Sequence, residues 1–169
     1  IFSVLALCLL ISTTGFAQNK KAVNLDEQIK LNGKVRTGKL ANGLTYYVRA
    51  NNKPANRAEF QIAVNAGSVL EEANEVGLAH FTEHMGFNGT KHYPGNTMID
   101  DLEKEGIVFG REINAYTGFD QTVYMVTLPT DNARLFDMGL KILDGWASGM
   151  LMTGEEIDKE RGVIIEEWR

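Results

Sequence analysis

Cysteine is almost missing from this chain of 169 residues: the single one, Cys8, lies in an apolar stretch at the start. Leu7 stands where a lipid-attachment motif would carry Gly or Ala, so Cys8 is not read as an anchor. Beyond that stretch no thiol remains, which excludes thiol-protease chemistry and a disulfide framework there. A basic excess is missing too. The formal net charge is −5, from 17 Lys and Arg against 22 Asp and Glu, which gives no attraction to nucleic acid or to an anionic membrane. No apolar run reaches the roughly 20 residues that a membrane-spanning helix requires. Internal repeats and low-complexity stretches are absent, so a repeat architecture is excluded. What is present is an ordinary globular composition, 44% hydrophobic and 23% charged, enough to bury a core in one domain or in part of a larger one.

Residues 1–17 stand apart. Ile1 to Ile11 is nearly unbroken apolar sequence, and small residues follow as far as Ala17. That order matches the end of a secretory signal peptide whose start is missing, with cleavage expected after Ala17. The protein is therefore expected to be exported, to a bacterial periplasm or out of the cell. Residues 18–34 are polar and rich in Lys and Asn, and are expected as a mobile lead-in.

From residue 35 to 169 the pattern predicts an α+β domain. Val35 to Leu40 and Leu44 to Arg49 read as a hairpin around Asn42-Gly43, and Ala58 to Asn65 as a third strand. A helix from about Glu75 to Gly86 follows. Asn96 is expected to cap a short helix reaching Glu105. Thr130 or Asp131 is expected to cap a longer one with Leu135, Met138, Ile142 and Trp146 as its core stripe. Between these helices, Asn114 to Thr117 and Gln121 to Leu128 read as two strands. Thr153 and Glu156 have the spacing of a capping box and open a last helix expected to run to Arg169. The order implies a mainly antiparallel sheet covered by helices.

The chemistry concentrates in His80-Phe81-Thr82-Glu83-His84. On a helix, His80 and His84 stand one turn apart on one face and can share a metal ion, while Glu83 projects near that face without being a ligand. Zinc held by two imidazoles and a carboxylate keeps a position for water and lowers that water's pKa to about 7. A neighbouring carboxylate, here Glu83, can take the proton as general base. The order is the reverse of the commoner H-E-x-x-H and is the inverzincin signature. Two surface histidines beside a solvated glutamate would give the same letters. However, Val76, Leu78, Ala79, Phe81, Met85 and Phe87 make the segment largely apolar, and polar groups in such a helix need partners.

A third ligand must come from elsewhere, and the residues alone leave it open. His92 sits in the turn 91–96 and reads as an exposed loop histidine. The last helix offers Glu155, Glu156, Glu160, Glu166 and Glu167. Glu160, Ile164 and Glu167 follow at i, i+4 and i+7, so both carboxylates share a face with an apolar residue. Glu166 turns roughly 100° away from Glu167, toward solvent.

Three stretches in order resemble the pitrilysin/insulysin family of zinc metallopeptidases, which includes the mitochondrial processing peptidases. They are His80 to Lys91 with Tyr93-Pro94, Ile113-Asn114-Ala115-Tyr116-Thr117, and Glu160-Arg161-Gly162-Val163-Ile164-Ile165-Glu166-Glu167. The resemblance spans residues 35–169. It implies that Glu167 is the third zinc ligand, that Glu160 supports the site by orienting a histidine, and that Glu83 is the general base. It implies that Asn114 and Ala115 lie on an edge strand to which a peptide substrate adds through main-chain hydrogen bonds. Phe87 is expected either to line an apolar pocket beside the zinc or to join the core. The resemblance further implies a second, similar half, in the same chain or in a partner subunit, that encloses the substrate. The present chain is then expected to be the N-terminal part of a longer one, with a small loop insertion between His84 and Glu167.

The function expected on these grounds is an exported zinc endopeptidase acting on peptides or unfolded segments. Two alternatives share the fold: a non-catalytic partner subunit, and a peptide- or metal-binding module without turnover. An inactive partner typically lacks a ligand or the base, whereas His80, Glu83, His84 and Glu167 are all in place here.

Overall fold

The structure is a computed structural model that describes residues 24–169, so the expected signal peptide and the first part of the lead-in lie outside the described residues. The chain divides after Ala50 into two compact units. In the first, residues 24–34 are exposed throughout, and two strands follow. Strands β1 (Val35–Lys39) and β2 (Thr45–Arg49) pair antiparallel, with Val35 opposite Arg49 and Lys39 opposite Thr45. The turn is closed by the Leu40 amide donating to the Leu44 carbonyl at 2.8 Å. Gly43 takes φ 92° there, a left-handed value that costs glycine nothing.

In the second unit, β3 (Arg57–Val64), β4 (Ile113–Thr117) and β5 (Thr122–Pro129) form an antiparallel sheet in the order β3-β5-β4. Strand β5 takes the centre because Val123, Tyr124, Val126 and Leu128 supply apolar groups to both of its faces, and all four are buried. The four helices are α1 (Leu78–Met85), α2 (Thr97–Lys104), α3 (Ala133–Ser148) and α4 (Gly154–Glu167). Helix α3 lies against β3 and β5, while α1 lies against α4, β4 and β5. Leu135, Met138, Ile142 and Trp146 of α3 are buried and share one core with Phe60, Met98, Leu102, Val126 and Leu128. Burying a side chain of this size is worth about 1.5–3 kcal/mol, so the stripe outweighs the ~1 kcal/mol of a helix cap in placing α3.

The helix ends correct the sequence reading. The cap of α3 is Asn132, whose Oδ1 accepts from the Arg134 amide at 3.0 Å, and neither Thr130 nor Asp131. Asn96 precedes α2 but makes no side-chain cap: its φ −83° and ψ 3° are not the extended values that aim a cap side chain at the helix amides. Thr153 does cap α4, its Oγ1 accepting from the Glu156 amide at 3.4 Å. Helix α4 stops at Glu167 rather than continuing to Arg169. Helix α1 begins at Leu78 instead of about Glu75, because Gly77 at φ 93° breaks the helical run. Among the described residues, no helix is long and apolar enough to cross a membrane.

Candidate metal centre

The start of α1 is fixed from outside the helix. Glu71 reaches back so that its Oε2 accepts from the Gly77 amide at 2.9 Å and its Oε1 from the Ala79 amide at 2.7 Å. Two first-turn donors are thereby satisfied, and the helix dipole favours the charge. The Ala79 amide, then that of Gly77, hold the Glu71 carboxyl below the usual carboxylate range. The other end of α1 is held by the core, where Trp146 Nε1 donates to the Gly86 carbonyl at 2.9 Å. Val76 and Leu78, part of the apolar run in the sequence, stand exposed.

Between these anchors α1 presents its histidines to α4. His80 Nε2 and His84 Nε2 lie 3.1 Å apart, and Glu167 Oε2 lies 3.5 Å from the first and 3.6 Å from the second. Ligand atoms 2.0–2.1 Å from a tetrahedral zinc are separated by about 3.3 Å, so the three edges match a zinc site. The donor chemistry points the same way. His84 Nδ1 lies 2.7 Å from Glu160 Oε1, and an ionised carboxylate only accepts, so Nδ1 carries the hydrogen. In the neutral ring, Nε2 then offers its lone pair to the space shared with His80 and Glu167. With the His80 Nε2 lone pair also directed inward, the three atoms form a donor set that could hold a metal ion. Among the described residues, no other group of three or more His, Cys, Asp or Glu ligand atoms converges in this way.

The two α4 carboxylates have different surroundings. Glu160 is buried beside Ile164, and its second oxygen, Oε2, accepts from Asn88 Nδ2. Glu167, two turns on, is half exposed. Glu166 points away and pairs with Arg169 at 2.9 Å. His92 is not part of this group; its Nε2 meets Asp144 Oδ2 at 2.6 Å.

Glu83 is buried on the sheet side of α1, where Thr117 Oγ1 donates to its Oε2 at 2.6 Å. Below it, Tyr124 stacks on Trp146 at 5.3 Å and donates its hydroxyl to the Thr82 carbonyl at 3.3 Å. Burial first, and the Glu83 charge second, push the Tyr124 phenol above its ordinary range. Thr117 ends β4, an edge of the three-stranded sheet. On the same strand, Asn114 is exposed and its Oδ1 accepts from the Ala115 amide at 3.0 Å. Phe87 is partly buried against the core, edge-on to Phe109 at 5.1 Å and to Trp146 at 5.9 Å.

Sequence reasoning gave no role to Asn88, Thr117 or Glu71. Asn88 and Thr117 lie within the stretches that carried the resemblance. Their partners, though, are 72 and 34 residues away, and no spacing rule connects them. Glu71 could have been found as an acidic side chain shortly before a helix start.

Comparison with known proteins agrees with this architecture. The sequence model of the family described as Insulinase (Peptidase family M16) matches residues 46–169. The probable zinc protease PqqL of Escherichia coli is 45% identical over 136 residues, which make up 80% of this chain and 15% of that protein. Its Haemophilus influenzae namesake is 42% identical over 135 residues, again 80% of this chain and 15% of the relative. The crystal structure of the first half of the periplasmic protease PqqL from Escherichia coli matches with a TM-score of 0.79 at 43% identity. That match covers 83% of this chain and 30% of the solved one. The chain spans 15% of the length of these two curated relatives. The fold is that of the pitrilysin-like protease domains, and the chain belongs to the insulinase family of peptidases.

Proposed function

We propose that this protein is an exported zinc endopeptidase that hydrolyses peptides or unfolded polypeptide segments. The observation that carries the reading is the convergence of His80 Nε2, His84 Nε2 and Glu167 Oε2 within 3.6 Å beside the buried Glu83. These three residues would hold the zinc, which when bound supplies Lewis acidity toward the scissile carbonyl and makes a water acidic near neutral pH. Glu83 accepts the proton of the attacking water and passes it to the leaving amine. Thr117 fixes the orientation of Glu83 by donating to one of its oxygens. Glu160 fixes that of His84 through Nδ1.

Substrate would add to the open edge of β4 at Asn114 and Ala115 through main-chain hydrogen bonds, a mode that tolerates varied side chains. The Asn114 side chain would have to release the Ala115 amide first. Phe87 would back this region from the core side. Export is supported by the apolar residues 1–17 and by the periplasmic description of the Escherichia coli relative. That relative's structure was solved as a first half, which supports a second half enclosing the substrate. The non-catalytic alternatives are disfavoured because the base and all three candidate ligands are present.

The test is hydrolysis of a quenched peptide by the zinc-loaded protein and its Glu83→Gln variant. Turnover is expected to fall by about 10²–10⁴-fold with zinc content unchanged. Undiminished turnover in the variant rules out Glu83 as the base.

A further inference from the structure

The loop after α1 is tied by several hydrogen bonds to the end of α3 and to the residues just after it. The Gly86 carbonyl accepts from Trp146 Nε1 at 2.9 Å, the Lys91 amide donates to the Gly149 carbonyl at 2.7 Å, and the Leu151 amide donates to the Gly89 carbonyl at 3.1 Å. Lys91 Nζ and His92 Nε2 both reach Asp144 Oδ2, at 2.8 and 2.6 Å. Thr90 is fully buried against Gly145, where a β-carbon would come within 2.8 Å of its Oγ1, so only glycine lets the loop sit this close. These contacts hold residues 86–92 to α3 independently of any metal.

Asn88 sits in the middle of that fixed loop and donates Nδ2 to Glu160 Oε2. Glu160 spends its other oxygen on His84 Nδ1. A carboxylate with one partner can swing about its terminal torsion; with a partner on each oxygen it is pinned. The donor is an amide and brings no charge of its own. It fixes the carboxylate while leaving the full negative charge to act on the imidazole, which an ammonium in the same place would partly cancel.

We propose that Asn88 is a positioning residue for the metal centre: through Glu160 it locks the His84 ring in the ligating orientation and so governs how firmly zinc is retained. The inference rests on the zinc-site reading above. Asn88 touches neither metal nor substrate, and its effect runs from the α3-anchored loop through Glu160 to His84.

The experiment follows zinc loss to a chelator from the zinc-loaded protein, for wild type, Asn88→Leu, Asn88→Ser, Glu160→Gln and the Asn88→Leu/Glu160→Gln pair. Each Asn88 variant is expected to lose zinc about 10-fold faster than wild type. In the Glu160→Gln background, Asn88→Leu is expected to add less than it does in wild type, because a neutral amide at 160 orients His84 through a weaker hydrogen bond than the carboxylate does. Unchanged release in either single variant overturns the proposal. So does a full effect of Asn88→Leu that persists in the Glu160→Gln background. Melting of the metal-free proteins controls for folding. Failure of both Asn88 variants to fold without metal would assign Asn88 a general structural role and overturn the proposal as well. A wild type that holds no zinc, or a His84→Ala variant that holds as much as wild type, rejects the metal centre itself. Zinc that depends on His84 but not on Asn88 rejects only the role of Asn88.

Discussion

Helix α4 carries two carboxylates on one face, seven residues apart, and they sit in opposite circumstances. The Glu160 side chain is 11% exposed and has a partner on each oxygen, whereas that of Glu167 is 46% exposed and, among the described residues, faces the two imidazole nitrogens. The histidines follow the same gradient, His84 at 18% exposure and His80 at 35%. One side of the site is thus held by protein groups alone, and the other carries the exposed carboxylate of the proposed ligand set. A dry, fully bonded carboxylate suits orientation of a ligand. A carboxylate with free lone pairs next to open solvent suits ligation, and leaves water and substrate a way in.

Substitutions on the two sides should separate this contrast. The largest effect is expected on the ligating side. Full-length protein should carry about one zinc per domain of this kind, lost in His84→Ala and nearly lost in Glu167→Gln. Glu160→Gln should keep a zinc, with affinity reduced by about 10–100-fold, and metal analysis with Glu166→Gln as an unaffected control ranks them. Equal zinc loss from the two helix partners, Glu160→Gln and Glu167→Gln, would erase the contrast.

A smaller effect is expected where Glu83, the proposed base, meets the sheet. Thr117→Val removes the hydroxyl that donates to Glu83 and should lower kcat by about 10-fold, corresponding to about 1.4 kcal/mol, with KM and zinc content unchanged. Thr117→Ser should recover most of the loss. A fall in zinc content in Thr117→Val would mean that the strand supports the ligands rather than the base.

The smallest effect belongs to the start of α1. The Glu71 carboxyl is held below its ordinary 4.5 by the Ala79 and Gly77 amides, so its contribution to stability is present above that value and fades as the pH falls through the depressed one. Glu71→Gln should therefore lower Tm at pH 7, with the gap to wild type closing in acid. A gap independent of pH would show that the cap acts by shape rather than by charge.

The parts of this site that were readable in the sequence are those governed by helical spacing. The pair His80 and His84, the position of Glu83, and the shared face of Glu160, Ile164 and Glu167 all follow from the 3.6-residue period. The core stripe of α3 was readable for the same reason, and it places that helix whichever residue caps it. Contacts across elements were not readable. Asn88 meets Glu160 only because α1 packs on α4, and Thr117 meets Glu83 only because β4 ends beneath α1. The start of α1 was misplaced because Glu71 and Gly77 terminate it from outside the apolar pattern. The cap of α3 was misplaced because Asn132, Asp131 and Thr130 are all competent cap residues, and only the backbone geometry selects among them.

The most direct test is a crystal structure of the zinc-loaded protein with anomalous data at the zinc edge. One peak is expected about 2.0–2.2 Å from His80 Nε2, His84 Nε2 and a Glu167 oxygen, with Glu160 still on His84 Nδ1 and off the metal. A peak bonded to Glu160 in place of Glu167, or no peak between α1 and α4, would contradict this assignment.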